Sequence, residues 1–158
     1  MTPLYINNKS LYEIFSPDTF DPSWSESVLA EKSAKMHMLP TEAFLVSETY
    51  SRDADRTADY ELEELTIVNR KAKPEFTWDY LKADYVKNLM LFLGYTYNFF
   101  DDEGVIVPVE AEPIVVKYWD FLGFRTIKAY MGQTVEGTLV EYQGTLYWQN
   151  FRIAFPER

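Results

Sequence analysis

The periodicity of the apolar residues changes within one short segment of this 158-residue chain, residues 76–94 (FTWDYLKADYVKNLMLFLG). Up to Tyr80 every second residue is aromatic, which is typical of a half-buried strand. From Leu81 onward the apolar residues recur three and four positions apart, which indicates one face of a helix. The sequence therefore predicts a strand that passes directly into an amphipathic helix over about residues 81–93, with Gly94 ending it.

The rest of the domain carries strand signals, and one helix against roughly eight to ten strands predicts an α+β, mostly β fold. We expect a β-sandwich or open barrel whose open face is capped by the helix. Strands are expected over residues 43–50 and 62–71, joined by the charged segment SRDADRTADYE. The residues expected to pack the helix on the sheet are Trp78, Tyr80, Leu81, Tyr85 and Leu89.

Residues 1–42 are expected to lie outside this domain, which takes residues 43–158. PLYI, the turn NNKS and LYEIF predict a short hairpin over residues 3–15. Residues 16–27 are rich in Pro, Ser and Asp, which is typical of a loop. Residues 29–39 (LAEKSAKMHML) fit either a short helix or an extended arm.

Charge and composition exclude several kinds of protein. The chain has 25 acidic against 15 basic residues, a net charge of −10, so we expect no direct affinity for nucleic acid. It has no cysteine, which excludes disulfides and thiolate chemistry. We find no secretory signal pattern and no apolar run of the ~18–20 residues that a membrane span needs. The sequence predicts a protein made in the cytoplasm without a membrane partner.

Patterns for catalysis and metal binding are weak. His37 is the only histidine, so His-dependent nucleophilic systems and zinc sites lack the residues they need. The acids between Asp53 and Glu64 follow the spacing of an EF-hand loop. Ala58 stands where that loop requires glycine, however, and strand-like segments flank it, so coincidence is the better interpretation. We expect no enzymatic activity, no metal and no cofactor.

Two other functions remain open at this point. A carbohydrate-binding module would need exposed tryptophans in one row, and the candidates are Trp78, Trp119 and Trp148. A glycan-cleaving enzyme would need two facing carboxylates, and the candidates are Asp79, Glu112 and Asp120. The simpler interpretations are a core or interface role for the tryptophans and a solvent-facing role for the acids.

Residues 51–93, with the Trp-x-Tyr-Leu motif at 78–81, resemble a family of small proteins from tailed bacteriophages and prophages. The likeness covers about residues 45–158 and includes AYMG at 129–132 and the final segment YWQNFRIAFPER. Lys82 stands where that family has a helix-capping serine, a change that costs about 1 kcal/mol. These phage proteins are similar in layout to tail-tube and distal-tail domains.

The resemblance implies a structural protein of the virion, in the tail or baseplate, made in the host cytoplasm. It implies a ring of six copies around the DNA channel, which docks neighbouring tail proteins. A carbohydrate-binding module at the tail tip, reading the host surface, is the alternative within the same setting. The charged hairpin tip is then expected to contact the next ring through Arg52, Asp53, Asp55, Arg56 and Asp59.

Overall fold

The computed structural model describes residues 4–53, 65–94, 99–100, 102–104, 106–107, 113–130 and 135–158. The helices in this part are α1 (Leu11–Phe15), α2 (Glu26–Lys35) and α3 (Ala83–Phe92). The strands are β1 (Leu4–Ile6), β2 (Lys9–Ser10), β3 (Glu42–Phe44), β4 (Ser47–Asp53), β5 (Leu65–Ala72), β6 (Glu75–Lys82), β7 (Phe99–Phe100), β8 (Ile106–Val107), β9 (Ile114–Asp120), β10 (Gly123–Ala129), β11 (Val135–Tyr142) and β12 (Thr145–Ala154). The mostly β, α+β fold class predicted from the sequence is confirmed.

Two four-stranded antiparallel sheets form the body of the protein. Sheet A has the strand order β10-β9-β1-β2, and sheet B has the order β11-β12-β6-β3. β4 pairs with β5 as a separate hairpin, and β7 pairs with β8. The hairpin expected on either side of the charged segment is present as β4 and β5, and we call it the arm. The predicted strand over residues 43–50 is divided, however, because residues 43–44 belong to β3 and pair with β6 in sheet B.

The core lies between the two sheets and extends to α1 and α3. Phe76 of sheet B meets Tyr118 of sheet A edge to face, with ring centroids 6.3 Å apart. Phe15 of α1 stacks on Tyr85 of α3 at 5.7 Å, and its edge faces Trp78. Aromatic rings thus connect both sheets, α1 and α3 in one core cluster.

The N-terminal residues belong to this same core, so the boundary predicted at residue 42 does not separate two structures. β1 pairs with β9, with Tyr5 opposite Lys117. The Trp78 indole Nε1–H donates to the carbonyl of Met38 at 2.8 Å, and Met38 is buried. The segment that was expected to lie outside the domain supplies a strand and part of the core.

The number of helices is also corrected. A hairpin is present near the N-terminus, but its second strand, β2, lies within residues 7–10, which were predicted as the turn. Residues 11–15, predicted as the second strand, form the helix α1, which the Ser10 hydroxyl caps by accepting the Glu13 N–H at 3.3 Å. Ser25 caps α2 in the same way, which decides between the helix and the extended arm. The described part of the chain therefore has three helices where one was predicted.

The strand-to-helix switch is observed where the periodicity placed it. β6 continues to Lys82, so Leu81 is a strand residue and α3 begins two positions later than expected. Lys82 makes no side-chain hydrogen bond to the helix, as its replacement of serine implied. Gly94 follows the helix with a φ of 77°, a conformation that favours glycine.

A β-bulge in sheet B changes which side chains face the core. Asn150 and Phe151 of β12 stand opposite the single residue Gly137 of β11, and Asn150 has a φ of 53°. A Cβ atom at Gly137 would lie 3.1 Å from the Trp148 ring, so the glycine leaves room for that side chain. Phe151 is buried, whereas Tyr80, on the neighbouring strand beside Gln149, faces outward.

Four of the five residues predicted to pack the helix on the sheet are buried, and one is not. Trp78, Leu81, Tyr85 and Leu89 are buried, but Tyr80 is 55% exposed and does not pack α3 on the sheet. The prediction is wrong for Tyr80 because alternation along β6 is interrupted next to the bulge, so that both Asp79 and Tyr80 are exposed.

Candidate interaction surfaces

The hairpin of β9 and β10 exposes four large apolar side chains at its turn. Trp119, Phe121, Leu122 and Phe124 are 54%, 71%, 101% and 51% exposed. We call these four residues the apolar tip. A contiguous group of this kind on a hairpin turn usually marks a contact with another molecule, whereas scattered apolar residues are normal on any surface.

A hydrogen bond, a glycine and a pair of aromatic rings determine the conformation of the apolar tip. Asp120 pairs with Gly123 across the turn, and its Oδ1 accepts the backbone N–H of Phe121, the first turn residue, at 2.7 Å. Gly123 has a φ of 107°, which only glycine adopts readily. Trp119 and Phe124 are a cross-strand pair whose rings meet nearly perpendicular, with centroids 5.3 Å apart. The exposed rings are therefore held in a defined arrangement.

An ionic network anchors the base of the apolar tip to the C-terminal segment. Arg125 Nη1 lies 3.2 Å from Asp120 Oδ2, and its Nη2 lies 3.1 Å from Glu157 Oε2. Glu157 Oε2 also accepts the backbone N–H of Ala72 at 2.7 Å. Asp120 is nearly buried, so its charge needs the guanidinium beside it. This aspartate, a candidate catalytic acid from the sequence, is engaged in holding the hairpin.

Burial raises the pKa of Tyr118 to about 12, from its ordinary value near 10, and the Asp120 carboxylate adds to the effect. The unfolded chain loses this proton first, so the stabilisation is complete below about pH 10 and is lost as pH rises through about 12. We expect ultraviolet titration to show a late tyrosinate step that Tyr118→Phe abolishes. Because burial also raises the pKa of Tyr85, Tyr85→Phe is the control. An unchanged late step in Tyr118→Phe would contradict the assignment.

A second surface feature lies on the outer face of sheet B. The side chains of an open groove there come from β6, β11 and β12: Tyr80, Val140, Glu141, Tyr142, Tyr147 and Gln149. Gln149 Nε2 donates to the Tyr80 hydroxyl at 3.3 Å, which steadies one wall. We call this the tyrosine groove, since three of its six lining residues are tyrosines.

The apolar tip and the tyrosine groove lie on opposite sides of the core. Tyr118, just before the tip, contacts the inward-facing Phe76 near the start of β6, whereas Tyr80 faces outward near the end of that strand. Arg125 likewise reaches Glu157, beyond the end of β12, and Tyr147 lies near the start of β12. At ~3.3 Å per strand residue, β12 alone separates the two regions by on the order of 20 Å.

The predicted contact residues of the arm are only partly within the described structure. Arg52 and Asp53 end β4, where the backbone pairs with Thr66 and Leu65 of β5. Asp55, Arg56 and Asp59 lie outside the described residues, as does the segment with EF-hand-like spacing beyond Asp53. The inter-ring role of these residues stays a prediction.

The other sequence candidates do not converge. Trp78 is buried and Trp148 is half-buried, which leaves Trp119 as the only exposed member of the proposed tryptophan row. Asp79 is exposed on sheet B, Asp120 belongs to sheet A, and Glu112 is outside the described residues. Within the described part we find no group of three or more potential metal ligands, and no helix there is long and apolar enough to cross a membrane.

Sequence reasoning did not identify the apolar tip, although a signal was present. In WDFLGF two large apolar residues, Phe121 and Leu122, occupy a turn where polar residues are usual. No protein-family model matches this chain, and no curated protein or solved structure is significantly similar to it.

Proposed function

We propose that this protein is a non-catalytic structural component that works by self-association and by docking neighbouring proteins. The apolar tip supports this proposal best, because it holds four large apolar side chains exposed to solvent at the end of an ordered hairpin. Covering them gains about 25 cal/mol for each Å² of apolar surface removed from solvent. Their preorganised arrangement keeps the entropy cost of binding low.

We infer the tail or baseplate of a tailed bacteriophage as the setting, from the resemblance in and after the arm. A ring around the DNA channel, with six copies as the family implies, agrees with a net charge of −10, because an acidic lumen would let DNA pass without adhering. The arm, an antiparallel hairpin that pairs from Ser47–Ala72 to Asp53–Leu65, is an extended element suited to reach an adjacent ring.

The test is the mass in solution, by light scattering over a concentration series. We expect the unmodified chain to exceed its 18.6 kDa monomer mass and Leu122→Lys to shift toward the monomer. Leu91→Lys is the matched control, because Leu91 is also an exposed leucine and lies on α3, away from the tip. A chain that is monomeric at every soluble concentration would contradict self-association. Equal effects of the two lysines would show that the tip is not the contact.

A further inference from the structure

We propose that the apolar tip of one copy docks in the tyrosine groove of a second copy. This inference rests on the proposed self-association and names the two surfaces that meet. The tip and the groove of one chain cannot contact each other, because they lie on opposite sides of the core and about a strand length apart. A contact between them therefore joins different surfaces of two identical molecules.

The groove has the chemistry that such a tip requires. Tyr80 and Tyr142 are more than half exposed and have ring faces available, and Val140 and Tyr147 extend the apolar floor. Tyrosine rings pack well against leucine and aromatic side chains, and their hydroxyls remain at the wet rim. Leu122, the fully exposed residue at the turn, is the natural anchor for this groove.

The charges beside the two surfaces are opposite. Lys117 is exposed on the outer face of sheet A, and its Nζ lies 4.8 Å from the centroid of the Phe124 ring of the tip. Glu141 is exposed on β11 and lines the groove. Neither has an ion pair among the described residues. In a chain of net charge −10, such local complementarity selects which surfaces of two copies can meet.

Head-to-tail pairing has a direct consequence for assembly. Each pair still presents one free tip and one free groove, so the contact repeats until the copies close into a ring or extend as a fibre. Tip-to-tip or groove-to-groove contact would instead stop at two copies. A single head-to-tail contact whose rotation closes thus builds the ring in the proposed function.

Cysteine cross-linking tests the contact cleanly, because the chain has no cysteine of its own. Leu122→Cys and Tyr142→Cys variants are mixed and treated with a short bismaleimide. We expect a covalent dimer in the mixture and little in either variant alone. Leu91→Cys replaces Tyr142→Cys in the control mixture, and this pair should not cross-link. Efficient cross-linking of Leu122→Cys with itself, or none in the mixture, would overturn the inference.

A charge exchange provides the second test. Lys117→Glu and Glu141→Lys should each weaken association roughly tenfold, since each places like charges opposite one another. An equimolar mixture of the two should regain the oligomer mass of the unmodified chain, because every tip then meets a groove of opposite charge. Failure of the mixture to recover would contradict this pairing.

The outcomes separate this inference from the proposed function. An oligomer that Leu122→Lys disrupts, without the mixed cross-link, leaves self-association standing and removes the groove as its site. A monomer under all conditions removes both. If Tyr142→Ala leaves the oligomer mass unchanged but abolishes binding to an oligosaccharide array, the groove is a glycan site and the docking inference is wrong.

Discussion

A chain cut to residues 43–158 is expected not to fold. It would lose β1, which pairs with β9, and with it the buried Leu4 and Ile6. It would also lose Phe15 and Met38 from the centre of the core. Removing several buried side chains, at 2–5 kcal/mol each, exceeds the roughly 5–15 kcal/mol by which a domain is stable. Far-ultraviolet circular dichroism and urea titration should show no cooperative transition.

Adding residues 1–42 as a separate peptide is the control for this truncation. If the fragment fails to fold only because residues 1–42 are missing from its core, the peptide should restore a cooperative unfolding transition. The effect should increase with peptide concentration. The point variant Phe15→Ala should give an intermediate result, a loss of about 3–5 kcal/mol in the full-length chain. A fragment that unfolds cooperatively without the peptide would show that residues 43–158 form an independent domain.

Trp78→Ala is expected to destabilise the full chain by about 3–5 kcal/mol. The ring is almost fully buried, lies 5.7 Å from the Phe151 ring and 6.2 Å from the Phe15 ring, and hydrogen-bonds to the Met38 carbonyl. Its loss leaves a cavity where sheet B meets α1 and leaves a buried carbonyl without its donor. Urea denaturation, followed by circular dichroism, measures the change in the free energy of unfolding.

Trp119→Ala is the matched control, because that ring is half exposed and contacts the Phe124 ring at the surface. We expect it to cost about 1 kcal/mol or less. Trp78→Phe separates packing from hydrogen bonding, since it keeps an aromatic ring but leaves the Met38 carbonyl unpaired at about 1–3 kcal/mol. Equal losses for Trp78→Ala and Trp119→Ala would contradict the assignment of Trp78 to the core.

The fold class was predictable because its signals are local. Alternation before Tyr80 and helical spacing after Leu81 are read within twenty residues, and both features appear in the structure at nearly the expected positions. The helix Leu11–Phe15 was missed because a segment of only five residues, four of them apolar, fits strand and helix equally. Ser10 and Glu13, three residues apart, match a helix-start signature that would have decided it.

The outward position of Tyr80 could not be read from its own strand. The exposure of Tyr80 depends on the bulge opposite Gly137. Gly137 is on β11, which pairs with β12, and β12 in turn pairs with the strand of Tyr80. The tyrosine groove has the same origin, since its walls come from strands far apart in the sequence. Such surfaces follow from strand register, which short-range periodicity does not specify. The apolar tip, by contrast, is contained in six consecutive residues.

The carboxylate of Glu157 is shared by two elements that project from the protein. Its Oε2 accepts from the backbone N–H of Ala72, where β5 ends and the arm rejoins the body of the protein, and from Arg125, at the base of the apolar tip. The Glu157 N–H also donates to the Ala72 carbonyl at 2.8 Å. The bases of the arm and of the apolar tip are therefore held by the same residue. A movement of the arm that displaces Ala72 would disturb the Glu157 carboxylate, which also positions Arg125. The C-terminal residues thus couple the position of the arm to that of the apolar tip.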